Sequence, residues 1–362
     1  MTGIRGVAAL WVMLYHAQQF SGTIFSLPLL EKVPILDKGW HGVDLFFMLS
    51  GFILMYAHER DFYLIRKASL IRFARLRFTR VYPLNAVVLL LIAIFVAFQP
   101  GFVAWTRASD PSDFSLGAFV RTLFLATRWF LPGRGDWNQP VWSLSLEVLG
   151  YLMFPLLAFC ALRVARKRQL IGIVSLSLVA CFIVAVMQRY FSYDPIGQIA
   201  VVRMTACFVT GIAIFRLWTL TSESARKWAG SITSISAVGI LLVSLPSRGG
   251  PLLNFFFASL LYGLAFQQGI VNSFLSSRSV VFLGTISFPL YLVHLAPLLW
   301  LRYFMLTNAA AYSQFQKSAV LICWAIACLL TATILHYFVE LPFHALGRRW
   351  AGARVPQLKS SG

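Results

Sequence analysis

The sequence predicts an all-α fold: a polytopic membrane helix bundle of about ten transmembrane helices with both termini in the cytoplasm. Three observations carry that expectation. Of 362 residues, 59% are hydrophobic and only 12% are charged, whereas soluble domains carry roughly 25% charged residues. The mean hydropathy is +0.75. Apolar runs long enough to cross a bilayer as helices, about 20 residues each, recur along the chain.

The runs lie at 4–24, 39–58, 81–99, 141–162, 169–189, 199–219, 229–246, 251–268, 284–305 and 317–339. The first has a basic start but lacks an Ala-x-Ala site, and His16, Gln18 and Gln19 interrupt it. It therefore reads as a retained span, not a cleaved signal peptide. The stretch 116–131 carries Arg121 and Arg128 and reads as an interfacial or re-entrant helix. Ten spans with the N-terminus inside place 20 of the 31 basic residues on the cytoplasmic side and 11 outside, as the positive-inside rule requires. The strongest basic loop is 59–80; the longest outer segment, 100–140, holds Asp110, Pro111, Asp113 and Asp136. The division is a single membrane domain over 1–345 and a basic cytoplasmic tail over 346–362.

The net charge of +19 does not point to nucleic acid, because the basic residues sit in short loops between spans. Cys160, Cys181, Cys207, Cys323 and Cys328 lie in apolar stretches without CxxC spacing, so they read as small buried hydrophobes and no metal is expected. Phosphate-loop, dinucleotide-turn, GxSxG and zinc patterns are all missing from the sequence.

Chemistry-bearing side chains within spans then stand out, since an ionisable group at membrane depth is costly unless it faces a partner or a cavity. His16 follows Arg5 by eleven residues, about 16 Å of helix. Asp44 opens the second span in Gly42-Val43-Asp44-Leu45-Phe46-Phe47-Met48-Leu49-Ser50-Gly51-Phe52. It suits either an imidazole partner or a helix-start carboxylate. Ser50-Gly51 reads as a close-packing site. Arg72, Arg75, Arg77 and Arg80 precede the third span; guanidinium forks suit phosphate, and the same pattern serves as a topology signal or lipid contact. In Trp142-Ser143-Leu144-Ser145-Leu146-Glu147, Glu147 lies about two turns inside the span, with Tyr151 on the same face. The ninth span carries Pro289, which predicts a kink, and His294 near mid-depth. His336 and Glu340-Leu341-Pro342 read as structural, and His41, His58 and His344 as interfacial.

These segments together resemble the acyltransferase 3 family of integral membrane acyltransferases, which includes bacterial O-antigen and exopolysaccharide O-acetyltransferases. The matching pieces run in order along nearly the whole chain. They are Arg5-Gly6-x-Ala8 with His16, the Gly42–Phe52 run, Arg77-x-x-Arg80-Val81-Tyr82-Pro83, Trp142-Ser143-Leu144-Ser145-x-Glu147-x-x-x-Tyr151, Leu283-Gly284-x-Ile286-Ser287 through His294, and Glu340-x-Pro342. The resemblance implies acyl transfer from cytoplasmic acetyl-CoA to a hydroxyl of a cell-surface or exported polysaccharide or glycolipid, such as lipopolysaccharide. The expected location is the bacterial inner membrane, with the lipid bilayer and polysaccharide assembly proteins as surroundings. It implies His16 as the catalytic histidine and Arg5, Arg77 and Arg80 as donor-binding residues. Thr2 stands where members often carry an acidic residue, so a misplaced start or a missing N-terminal piece is expected. Some members also carry a fused extracytoplasmic domain; here transfer is expected to finish in the membrane domain or to pass to another protein.

The expected mechanism has His16 as general base on the acceptor hydroxyl, with Asp44 or Glu147 orienting the ring. A covalent acyl-histidine is the alternative. Tyr151, Ser145 and His294 are further site candidates. The rival readings are a small-molecule acceptor such as a macrolide, a succinyl group, a proton-coupled transporter, and a non-catalytic membrane partner of polysaccharide assembly. A transporter would call for matched broken helices in two halves; one span is clearly interrupted by proline, with no symmetric mate.

Overall fold

The computed structural model describes residues 1–20, 33–129, 136–190, 199–221, 226–245, 250–307 and 312–352. Most of the expected basic tail, 353–362, lies outside the described residues, as do 21–24 at the end of the first expected span. Among the described residues there is no strand. The α-helices are α1 Thr2–Phe20, α2 Gly42–His58, α3 Lys67–Ala97, α4 Pro100–Arg107, α5 Leu116–Leu123, α6 Val141–Arg163, α7 Lys167–Tyr190, α8 Ile199–Thr219, α9 Ala229–Ser244, α10 Leu253–Leu264, α11 Gly269–Leu275, α12 Arg278–Thr285, α13 Ser287–Val293, α14 Leu295–Thr307, α15 Gln314–Leu335 and α16 Leu341–Trp350. A 3₁₀ turn, Leu36–His41, leads into α2, and a π-turn, His336–Glu340, joins α15 to α16.

Seven helical segments are long and apolar enough to cross a membrane: 36–61, 67–97, 141–163, 167–187, 199–219, 287–307 and 314–350. They coincide with seven of the ten expected runs. The expected span 251–268 takes a different form. Its helix, Gly250–Leu264, bends by 87° into Gly269–Leu275. The corner uses Gln267 and Gly269 at positive φ, and a Cβ on Gly269 would come within 2.8 Å of the Gly230 Cα. Helix α9 is apolar but only 16 residues long. Helix α5 has 8 residues, about 12 Å of rise, too short to cross, in keeping with the interfacial reading of 116–131.

The helices pack where small residues let backbones approach. Gly51 on α2 abuts the Phe208 carbonyl on α8, and Gly211 on α8 abuts the Met48 carbonyl on α2. This reciprocal contact is the close packing that Ser50-Gly51 predicts. On α1, Gly6 lies against Gly284 of α12, and Gly284 in turn against the Thr2 carbonyl. Helix α1 also packs on α13 and α2.

Asp44 opens α2 but is no simple helix-start carboxylate. It is 1% exposed; His41 Nδ1–H donates to its Oδ2 at 2.9 Å and Arg203 Nε–H to its Oδ1 at 2.5 Å. The Arg203 guanidinium also lies over the Trp40 ring, 4.6 Å from its centre. The His41 reading is therefore corrected: the ring is buried and paired, because a carboxylate and a guanidinium removed from water need every neighbouring donor and acceptor filled. In the long loop, Asp136 pairs with Arg128 at 3.0 Å, and burial pushes the Asp136 and Asp113 carboxyls above the usual carboxylate range.

Asp44→Ala leaves a buried guanidinium unpaired and should cost about 3–5 kcal/mol, read as a lower melting temperature of the detergent-solubilised protein. Gly211→Val should force α2 and α8 apart, and loss of the monodisperse peak on size exclusion checks it.

Candidate active site

Helix α1 and the α12–α13 segment run side by side in the same direction. Gly6 meets Gly284 at one end, and ten residues later on each strand of the pair His16 meets His294. The His16 Nδ1 lies 3.1 Å from His294 Nε2, with ring centres 5.0 Å apart. The same Nδ1 also lies 3.0 Å from the Val12 carbonyl. His16 is partly exposed, and His294 is 1% exposed.

The expectation that Asp44 or Glu147 orients His16 is thereby corrected. Asp44 is spent on His41 and Arg203. Glu147 accepts hydrogen bonds from the Ser50 hydroxyl and, at 2.6 Å, from the Tyr151 hydroxyl. Both partners come from positions set by helical spacing: Tyr151 one turn along α6, and Ser50 on α2 beside the glycine contact. Ser145, another candidate, ties the 126–129 turn to α6: its Oγ accepts from the Arg128 backbone at 3.2 Å and its carbonyl from Trp129 Nε1–H at 2.7 Å.

Pro289 was expected to kink the ninth span. The chain breaks at Ile286, between α12 and α13, and again at His294, before α14. Side chains grip the second break. Asn138 Nδ2–H donates to the Leu292 carbonyl at 2.9 Å, and Trp324 Nε1–H donates to the His294 carbonyl at 3.0 Å.

A narrow cavity of about 80 Å³ connects most of the remaining candidates. Arg5, Arg77 and Arg80 line it together with Glu147, Tyr151 and Ser50, and the Ser143 and Tyr291 hydroxyls, 2.7 Å apart, are also in its wall. Neither His16 nor His294 lines it. Tyr291 is the link: its side chain faces the cavity, and its ring centre lies 5.8 Å from that of His294.

Sequence reasoning passed over three residues here. Interfacial His58 accepts from Arg77 at 3.4 Å while its own Nδ1–H reaches Asp61 at 2.9 Å. Arg203, unmarked in the sequence, neutralises Asp44. Tyr291 was read only as part of a motif. Arg77 is also braced against the Phe73 and Tyr151 rings, and among the described residues its buried Nε has no partner. Of the four basic-segment arginines, Arg72 pairs with Asp61 at 3.3 Å and Arg75 donates to the Trp350 carbonyl, leaving Arg77 and Arg80 for the cavity. Glu340 and His336 bond each other across the π-turn at 2.7 Å, in line with a structural role. Among the described residues no three His, Cys, Asp or Glu side chains gather as a metal site would need.

A family profile described as an acyltransferase domain matches residues 1–341. The O-acetyltransferase OatA of Staphylococcus aureus is 24% identical over 392 residues, covering 99% of this chain and 59% of its own length. Acyltransferase MdmB of Streptomyces mycarofaciens is 28% identical over 382 residues, covering 98% of this chain and 94% of its own. Protein 2 of the picA locus of Rhizobium radiobacter is 32% identical over 159 residues, 41% of this chain and 76% of its own. No solved structure matches. This chain thus spans 59% of OatA but nearly the whole of MdmB. An apolar multi-helix chain matched over 341 residues by this profile is an integral membrane enzyme, and it belongs to the acyltransferase 3 family.

Proposed function

We propose that this chain is a membrane O-acetyltransferase that moves the acetyl group of cytoplasmic acetyl-CoA to a hydroxyl of a cell-surface or exported glycan or glycolipid. The observation that carries the reading is a single cavity running from three arginines to Tyr291, the neighbour of the His16–His294 pair. OatA, similar over 99% of this chain, is named an O-acetyltransferase, which favours acetyl as the group and a hydroxyl as the acceptor. In this reading the chain has ten spans with both termini inside, in the bacterial inner membrane. The seven long spans would be joined by α1, α9 and the bent pair.

Arg77 and Arg80, three residues apart on one helix face, and Arg5 across the cavity suit the phosphates of the donor, since guanidinium groups bind phosphate through paired N–H donors. The open Nε of Arg77 is one such donor. Glu147 lies in the same wall, already accepting from Ser50 and Tyr151. It offsets the positive charge locally and leaves the arginines to face the donor. Tyr291 stands in the wall between the cavity and His294, so its ring must move aside for the pantetheine arm to bring the thioester to His16. There the imidazole removes the proton of the acceptor hydroxyl. The oxygen attacks the thioester carbonyl carbon, the C–S bond breaks, and the proton on His16 passes to the departing thiolate. General-base assistance of this kind is typically worth about 10²–10⁴-fold.

His16→Ala should abolish acetylation while the amount of membrane-inserted protein stays normal, checked by mass spectrometry of the cell-surface glycan against an immunoblot. Retained acetylation would remove His16 from the chemistry. Arg77→Ala and Arg80→Ala should each raise the KM for acetyl-CoA with a smaller change in kcat. An unchanged donor KM in both would place the phosphates elsewhere.

A further inference from the structure

We infer that His294 is a positioning residue that fixes His16 as the Nδ1–H tautomer and so makes Nε2 its reactive nitrogen. The inference rests on the reading above that His16 is the base.

The argument is a count of protons. A neutral imidazole carries one N–H and one bare lone pair, and a carbonyl oxygen can only accept. His294 Nδ1 lies 2.8 Å from the Tyr291 carbonyl, so the proton of His294 sits on Nδ1 and its Nε2 is a lone pair. That lone pair points at His16 Nδ1, 3.1 Å away. His16 Nδ1 also lies 3.0 Å from the Val12 carbonyl. Two acceptors therefore converge on one atom, which must be the donor. The proton of His16 is on Nδ1, shared between the Val12 oxygen and His294 Nε2. No hydrogen bond to His16 Nε2 is found among the described residues.

The opposite assignment fails twice. A proton on His294 Nε2 sets a bare Nδ1 against the Tyr291 oxygen, and it sets a bare His16 Nδ1 against the Val12 oxygen. Either clash alone disfavours it; the two backbone carbonyls, on different helices, agree.

The position of His294 is itself enforced. Pro297 has no N–H to give back to the helix, and the chain breaks at His294. Asn138 and Trp324, both 3% exposed, hold the Leu292 and His294 carbonyls of the backbone that carries the ring. The ring has little room to turn its other nitrogen toward His16. When His16 Nε2 takes the acceptor's proton, the Nδ1–H stays shared with His294 Nε2, and the new positive charge keeps two acceptors. Orientation and tautomer control, the work a carboxylate does in a serine-hydrolase triad, fall here to a neutral histidine.

The test combines a direct readout with a rescue. In wild-type protein labelled with ¹⁵N-histidine and reconstituted in lipid, solid-state NMR should show His16 protonated at Nδ1 and bare at Nε2. The His16→Asn spectrum assigns the signals. The reverse tautomer overturns the inference even if no variant folds. His294→Ala should lower kcat by roughly 100-fold or more with the KM for acetyl-CoA unchanged. His294→Gln, whose amide oxygen can stand where Nε2 was, should recover at least about a tenth of wild-type kcat, well above the alanine variant. Equal losses in Ala and Gln, or full activity in His294→Ala, overturn the positioning role while leaving His16 as base. Activity in His16→Ala would instead sink the reading on which this inference rests.

Discussion

An ionisable or polar group buried among apolar helices must find its partner inside the protein, and that constraint organises this molecule. Water is not there to fill a missing hydrogen bond, so each such group recruits others from helices distant in sequence. Three clusters result. Asp44 draws His41 and Arg203 into a sealed ion cluster. Glu147 draws Ser50 and Tyr151. His16 draws His294. The first is fully enclosed and holds α2 to α8. The second faces the cavity among arginines. The third stands beyond the cavity's Tyr291 wall, with His16 partly exposed.

The small residues make these meetings possible. Contact of α1 with α12 at Gly6 and Gly284 lets two backbones approach as no larger residue would. Because the two segments run in the same direction, that contact also sets register. Ten residues along the continuous helix α1, about 15 Å of rise, and ten along the interrupted α12–α13 path end at the His16–His294 contact. The Gly51–Gly211 crossing plays the same part for α2 and α8, placing Ser50 toward α6 and Glu147. Packing and site are thus one construction: a side chain added at a glycine would shift a functional group a helix away.

The lining of the cavity is chemically mixed. Guanidinium groups line it with one carboxylate, and two hydroxyls join them at the Tyr291 wall. MdmB aligns over 94% of its own length with this chain alone, so an acyltransferase of this size exists without the extra length that OatA carries.

The sequence by itself determined the helical membrane class, seven of the long spans, the family, and the identity of the residues worth watching. Those are properties of local composition and spacing: an apolar run declares itself, and so do Arg77 and Arg80 one turn apart or Glu147 and Tyr151 at i and i+4. Even the equal spacing of Gly6 to His16 and Gly284 to His294 lay in the chain, although nothing local says that the two segments touch. Tertiary structure alone decided which buried groups pair. Asp44 and Glu147 were each plausible partners for His16, and each was claimed by a nearer donor. His41 and His58 became anchors for charges that sequence could not see beside them. The helix expected at 251–268 ends at Leu264 and turns by 87° into Gly269–Leu275, and the one expected at 284–305 is interrupted at Ile286 and His294, where neighbouring helices supply hydrogen bonds and close backbone contacts. Pairing depends on distances between helices remote in sequence, and those distances are set by packing, which no local pattern encodes.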